Sequence, residues 1–149
     1  MYAILQIPLF PMQALLRQMP LSSRGAVSSR APFVVSSRSP LAVVDDSKEV
    51  SRVICVNQAA ARLGVSEGMR PPQALARCAD LTLLPRSASA EVAAERMALL
   101  LAQTLSPRVE ATRPGLVTVD LRGTRESRTL ERCEVLVERF RELGIRVPG

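Results

Sequence analysis

Short apolar runs closed by proline or glycine alternate with helix-period segments along most of the chain, which restricts the fold to packed layers of strands and helices. Tyr2–Ile7 is such a run, ended by Pro8, and has the pattern of a buried strand. Phe10–Arg17 predicts a short helix with Pro11 in its first turn, where a missing N–H leaves no bond unmade. Leu41–Asp45 and Arg52–Val56 are strand-like around a turn at 46–50. Asn57–Leu63 predicts a helix closed by Gly64, and Pro71 and Pro72 open another that runs through Cys78. Leu81–Leu84 reads as a strand stopped by Pro85.

Ala90–Leu105 is the strongest helical signal, with Ser87 or Ser89 as cap and Pro107 beyond its end. Its expected core face is Ala93, Met97, Leu100, Leu101 and Leu105. Arg108–Thr112 and Leu116–Leu121 alternate and are joined by Arg113-Pro114-Gly115, the signature of a β-hairpin. Thr129–Leu143 predicts an amphipathic helix with Leu130, Cys133, Val137 and Phe140 as its stripe and Gly144 as its stop. Ile145–Val147 then starts like a further strand. The order β-α-β-β-α-α-β-α-β-β-α-β predicts an α/β or α+β sandwich, with helices covering a mixed sheet.

With 149 residues the chain has material for one domain of ordinary size. Hydrophobic residues make up 47% and aromatic residues only 3%, so the core must be aliphatic. The absence of histidine excludes Ser-His-Asp and Cys-His nucleophiles, histidine metal sites and imidazole acid–base chemistry. Cys55, Cys78 and Cys133 are odd in number and show no CxxC spacing, so they read as buried small hydrophobes of a reducing compartment. The N-terminus lacks a basic n-region and carries two early prolines, and no run of 18 apolar residues occurs; a cytoplasmic location is expected.

The formal charge is +6, with Lys48 the only lysine among 20 basic residues. That balance favours an anionic partner, nucleic acid before membrane, because no basic amphipathic helix with an aromatic face occurs. Between Pro20 and Pro40 the triplet SSR recurs three times, at 22–24, 28–30 and 36–38. A local duplication, a solvated loop and a cationic arm bearing Arg24, Arg30 and Arg38 are all open readings of this stretch.

Four segments in register resemble the Y-family, lesion-bypass DNA polymerases. VNQAAARLGVSEGM with its continuation QALARCADLTLLP resembles the fingers segment, a short helix ending in a (K/R)-(F/L)-G-(V/I) turn, then G-(M/I), a helix and a strand ending in L-P. AILQIPLFPMQAL is similar to V-D-x-D-x-F-(F/Y)-A-x-V-E, and Leu41–Asp45 to the strand G-(K/R)-P-V-x-V. LSPRVEATRPGLVTVDL is similar to (Y/F)-(S/T)-x-x-(I/V)-E-x-x-S-I-D-E-A-(Y/F)-L-D. The resemblance implies an α+β fold, a mixed β-sheet palm of ferredoxin-like type covered by helices, with a small inserted α/β fingers subdomain. It implies a palm-like part at 1–10 and 79–149, and a fingers-like part at 11–78 that includes the SSR insertion at about 20–40. Thumb, little finger and C-terminal tail are expected to be missing from this chain.

The departures from the family pattern shape the functional expectation. Such polymerases join a nucleotide to a primer with two metal ions held by three carboxylates, and hard Mg²⁺ demands those oxygen ligands. At the matching positions stand Gln6, Gly115 and Leu116. Pro8 replaces the second acidic residue of the opening motif and Pro11 the steric-gate aromatic. Gln58 and Ala61 stand where the triphosphate-binding Tyr and Arg would be. Glu110 and Asp120 are retained, but the hairpin alternation places them away from the lost ligands. The pattern resembles the non-catalytic ImuB branch, which implies no catalytic, cofactor or metal residues and an adaptor role in damage-induced mutagenesis. Its implied partners are DNA, a sliding clamp, an ImuA-type protein and an error-prone replicative polymerase, the last three bound through regions mostly outside this chain. A nucleoid-associated location follows.

Arg62, Arg70, Arg77 and Arg86 lie in or beside the fingers-like stretch and are the candidate DNA-binding residues. Phosphate contact and a solvated positive face remain alternative readings of them. Base-specific reading is not expected, since exposed aromatics are scarce. Two other accounts of the chain stay open: a nucleotidyltransferase with unorthodox metal ligands, and a fragment of a longer protein with no role of its own.

Overall fold

The computed structural model describes residues 1–19, 39–123 and 129–145. The SSR triplets, the side chain of Leu130 and the predicted strand beyond Ile145 lie outside them. The order found is β1 (Tyr2–Gln6), α1 (Phe10–Gln18), β2 (Leu41–Asp45), β3 (Arg52–Val56), α2 (Gln58–Arg62), α3 (Pro71–Arg77), β4 (Thr82–Pro85), α4 (Ala88–Ala102), β5 (Val109–Arg113), β6 (Leu116–Asp120) and α5 (Thr129–Glu142). The expected α+β arrangement of helices on sheet is the one observed, with the strands divided between two three-stranded sheets. The chain forms two compact units, one of residues 1–17 and 88–149, the other of 18–87.

In the first unit β1 and β5 flank β6, all antiparallel. Tyr2 stands opposite Asp120, Ile4 opposite Thr118 and Gln6 opposite Leu116, so these six residues share one face of the pleat. The other face carries Val117 and Val119 into a core with Ile7, Phe10, Ala14, Leu105, Leu121, Leu136, Phe140 and Ile145. Phe140 is fully buried, a consequence of being the one aromatic on the inner stripe of α5. Leu136 joins the predicted stripe, and Cys133 and Val137 pack against it.

The face of α4 differs from expectation. Its buried stripe is Ala90, Ala94, Ala98 and Ala102, spaced by four, continued by Leu105. Ala93 is exposed and Leu100 is 60% exposed, while Met97, Leu99 and Leu101 are partly buried at the margins. The helix also begins at Ala88, two residues early. Small side chains let the helix sit close to the sheet, so the most apolar face is not the inner one.

In the second unit β2 pairs antiparallel with β3 and parallel with β4. All five residues of β2 are buried, as a central strand between two neighbours requires. Asn57 ties this sheet to α2: its Oδ1 accepts from the Ala60 N–H at 2.9 Å and the Leu41 N–H at 3.0 Å, and its Nδ2 donates to the Ser39 carbonyl at 2.7 Å. Ala60, Val65, Ala74, Cys78 and Leu81 close the core over Ala42, Val44 and Val53. None of the three cysteines is joined in a disulfide; Cys55 and Cys78 are buried. Among the described residues no helix is long and apolar enough to cross a membrane.

Candidate nucleic-acid interface

The β1–β6 ladder brings together Gln6, Gly115 and Leu116, the three residues expected at the metal-ligand positions. Gln6 is exposed at the end of β1, directly across from Leu116. The next residue, Ile7, donates its N–H to the Gly115 carbonyl at 2.7 Å. Gly115 turns the β5–β6 hairpin with φ +76°. A Cβ there would meet the Phe10 Cβ at 2.7 Å and the Ile7 carbonyl at 3.1 Å, so backbone and neighbours both demand glycine. Leu9, with φ 51°, makes the turn between β1 and α1 in the left-handed region. Its carbonyl accepts from the Met12 and Gln13 N–H groups at 2.9 and 3.0 Å, and the Gln13 amide reaches back to the Pro8 carbonyl at 2.7 Å. Pro11 occupies the first turn of α1.

The two retained carboxylates stand elsewhere. Glu110 is exposed on β5, opposite Thr118. Asp120 is buried opposite Tyr2, at the far end of β1 from Gln6. Arg122 grips it from the side, with Nε 3.0 Å from each oxygen and Nη2 2.7 Å from Oδ2, and donates its backbone N–H to Oδ1 at 2.9 Å. Arg108 approaches to 3.7 Å. These hydrogen bonds from Arg122, with the Arg108 charge behind them, hold the Asp120 carboxyl down to about 2. Among the described residues no group of three or more His, Cys, Asp or Glu side chains is arranged to hold a metal ion.

The four candidate arginines all belong to the second unit. Arg62 ends α2 and Arg77 ends α3, positions where a cation also complements the helix dipole. The Arg77 guanidinium lies 3.7 Å from where a Gly64 side chain would begin, which places it beside the turn that follows Arg62. Arg70 precedes α3, its N–H donating to the Gln73 Oε1 at 3.0 Å. A seven-residue helix separates it from Arg77 by about 10 Å. Arg62, Arg70 and Arg77 are exposed. Arg86 differs: its guanidinium sits 3.4 Å from Asp45 Oδ2. The Asp45 carboxyl is held below its ordinary range first by Ser47 hydrogen bonds and then by Arg86.

Two groups escape the sequence reading. Arg52 is exposed on β3, and its Nη1 donates at 2.8 Å to the carbonyl of Gly68, two residues before Arg70 in sequence. Arg108 and Arg122 gather around Asp120; only the register of β1 against β6 shows that they share a surface with Tyr2.

A model of the impB/mucB/samB family matches residues 31–144. No curated protein matches the sequence. Solved structures share the fold. A Y-family DNA polymerase chimera of Dbh and Dpo4 superposes with TM-score 0.76 and 19% identity, over 99% of this chain and 41% of that one. DinB from Sulfolobus solfataricus gives 0.74 and 16%, over 99% and 40%. A post-insertion binary complex of Dbh DNA polymerase gives 0.78 and 18%, over 99% and 40%. The chain thus spans about 40% of the length of these polymerases.

Proposed function

Because the chain belongs to the impB/mucB/samB family, we propose that it is a catalytically inactive, DNA-binding module of Y-family polymerase type. It serves DNA repair and damage-induced mutagenesis as an adaptor in translesion synthesis, in the manner of the ImuB-like branch. The first unit acts as its palm and the second as its fingers. One observation carries the reading. The fold sets Gln6, Gly115 and Leu116 side by side, and together they offer an amide, a bare backbone and an aliphatic chain. Two divalent cations need carboxylate oxygens, and this donor set does not fit them. The middle position is further closed by Phe10, so no side chain can be placed there without moving the core. No catalytic step is therefore assigned to this chain.

DNA is held through phosphates. Arg62, Arg70 and Arg77 present exposed guanidiniums that make charge-assisted bonds to phosphate oxygens, with Arg86 contributing less because Asp45 already engages it. Binding is independent of sequence and falls steeply with salt. A sliding clamp, an ImuA-type protein and an error-prone replicative polymerase are its partners, in the cytoplasm at the nucleoid. Primer extension with purified protein in Mg²⁺ or Mn²⁺ tests the inactive reading. No incorporation above background is expected; incorporation that follows the protein through purification would replace it with a nucleotidyltransferase of unorthodox ligands.

A further inference from the structure

The end of the β1–β6 ladder opposite Gln6 holds the one tyrosine of the chain, and the chain has no tryptophan. Tyr2 is 59% exposed on the open face of the sheet, with Ile4, 68% exposed, two residues along the same edge strand. The Arg122 guanidinium lies over the Tyr2 ring, 5.5 Å from its centroid. It does not lie there loosely. Asp120 binds its Nε and Nη2, which fixes the guanidinium plane while more than half of the side chain stays in solvent. Arg108, still more exposed, approaches the same Oδ2 of that carboxylate to 3.7 Å. One buried anion thus faces two exposed cations, and a surplus positive charge sits beside an exposed aromatic ring.

An ordered guanidinium and an aromatic ring are the two planar surfaces on which unpaired bases stack, and a neighbouring cation takes the phosphate. We propose that Tyr2 and Arg122 form a stacking platform for a base of single-stranded DNA, with Arg108 contacting the adjoining phosphate. The platform needs no sequence preference, since every base has a flat face. It rests on the reading of the chain as DNA-binding, and adds a contact in the first unit to the phosphate contacts of the second.

Because Tyr2 is the only tyrosine and tryptophan is absent, intrinsic emission reports on this ring alone. The test titrates the protein with a deoxythymidine oligonucleotide of about 12 nucleotides and with an abasic strand of equal length, corrected with free tyrosine for absorbed light. The thymidine strand is expected to quench the emission and the abasic strand to bind while leaving it nearly unchanged. Tyr2→Leu, which keeps a β-compatible apolar residue, is expected to weaken binding of labelled thymidine strand roughly 5- to 30-fold. Tyr2→Phe restores that affinity, and neither change alters binding of the abasic strand. Thymidine strand bound with unchanged emission, and with equal affinity for wild type and Tyr2→Leu, overturns the platform and leaves the phosphate-binding reading standing. If neither strand binds, both fall.

Discussion

One pair of strands, β1 and β6, ends in two different ways. At the Gln6–Leu116 end the backbones are tightly set: Ile7 bonds to Gly115 at 2.7 Å and Phe10 fills the space beside the turn. The charged residue there, Arg113 opposite Leu116 on β5, is exposed. At the Tyr2–Asp120 end, the backbone contact from the Leu121 N–H to the Met1 carbonyl is an ordinary 3.0 Å, and charge dominates. Asp120, Arg122 and Arg108 cluster around an exposed ring. Strand pairing and the burial of Ile7 and Phe10, rather than charge, bring Gln6, Gly115 and Leu116 together.

The strongest way to break this contrast is to put a carboxylate back at the turn. Gly115→Asp meets both a left-handed backbone at φ +76° and the Phe10 Cβ at 2.7 Å. Strain and overpacking together are expected to lower stability by about 2–4 kcal/mol. Gly123→Asp is the control, because that glycine has φ +84° but nothing within 4 Å. It is expected to cost about 1 kcal/mol, from backbone alone. Urea midpoints of the two variants separate packing from conformation, and equal losses would mean that Phe10 yields freely.

The next effect tests which face of α4 is the inner one. Ala98 is 1% exposed and Leu100 is 60% exposed. Ala98→Leu is expected to lose about 1–3 kcal/mol by overpacking the close helix–sheet contact. Leu100→Ala is expected to stay within about 0.5 kcal/mol. The reverse ranking would restore the leucine face that hydrophobicity alone predicts.

That helix shows where sequence legibility stops. Strand and helix positions followed from punctuation: Pro8 closes β1, Gly64 follows α2, Pro71 opens α3, and Pro114-Gly115 turns the β5–β6 hairpin, with the expected turn residue Arg113 ending β5. These signals are local and act on the backbone directly. The inner face of α4 is a tertiary matter, since alanines and not leucines line the side packed into the core. The site divides in the same way. The convergence of Gln6, Gly115 and Leu116 was legible through family spacing, and β pairing brings them together. The Tyr2–Arg122 stack was not legible, because it joins residues 120 positions apart through a register that composition cannot reveal. Arg86 reads from sequence as a phosphate contact or part of a solvated positive face, yet Asp45, 41 positions earlier, holds it.

Acid separates the two ends of the ladder by a smaller margin. Asp120 has a folded-state value of about 2 against an ordinary 3.8, so its contribution to stability is complete above about 4. That contribution fades as pH falls through about 2, where the folded protein takes up the proton as well. Asp120→Asn is therefore expected to have a lower urea midpoint than wild type at pH 7. The difference should shrink steadily between pH 4 and pH 2, provided the fold survives to be measured. A difference that stays constant with pH would show that Arg122 binds the protonated carboxyl as well as the ionised one, and that charge is not what orders it.

The smallest effects belong to the two outer positions of the neutral end. Gln6 is exposed and Leu116 is only partly buried, both on the open face of the sheet. Gln6→Asp and Leu116→Glu are each expected to shift stability by no more than about 0.5 kcal/mol, as surface changes in an intact ladder. Made together they place like charges directly across β1 and β6, and the pair should lose a few tenths of a kcal/mol more than the sum. A double-mutant cycle on urea midpoints reads that coupling. An unfavourable coupling of this size, set beside the large loss at Gly115, would mean that only the middle carboxylate is excluded by packing.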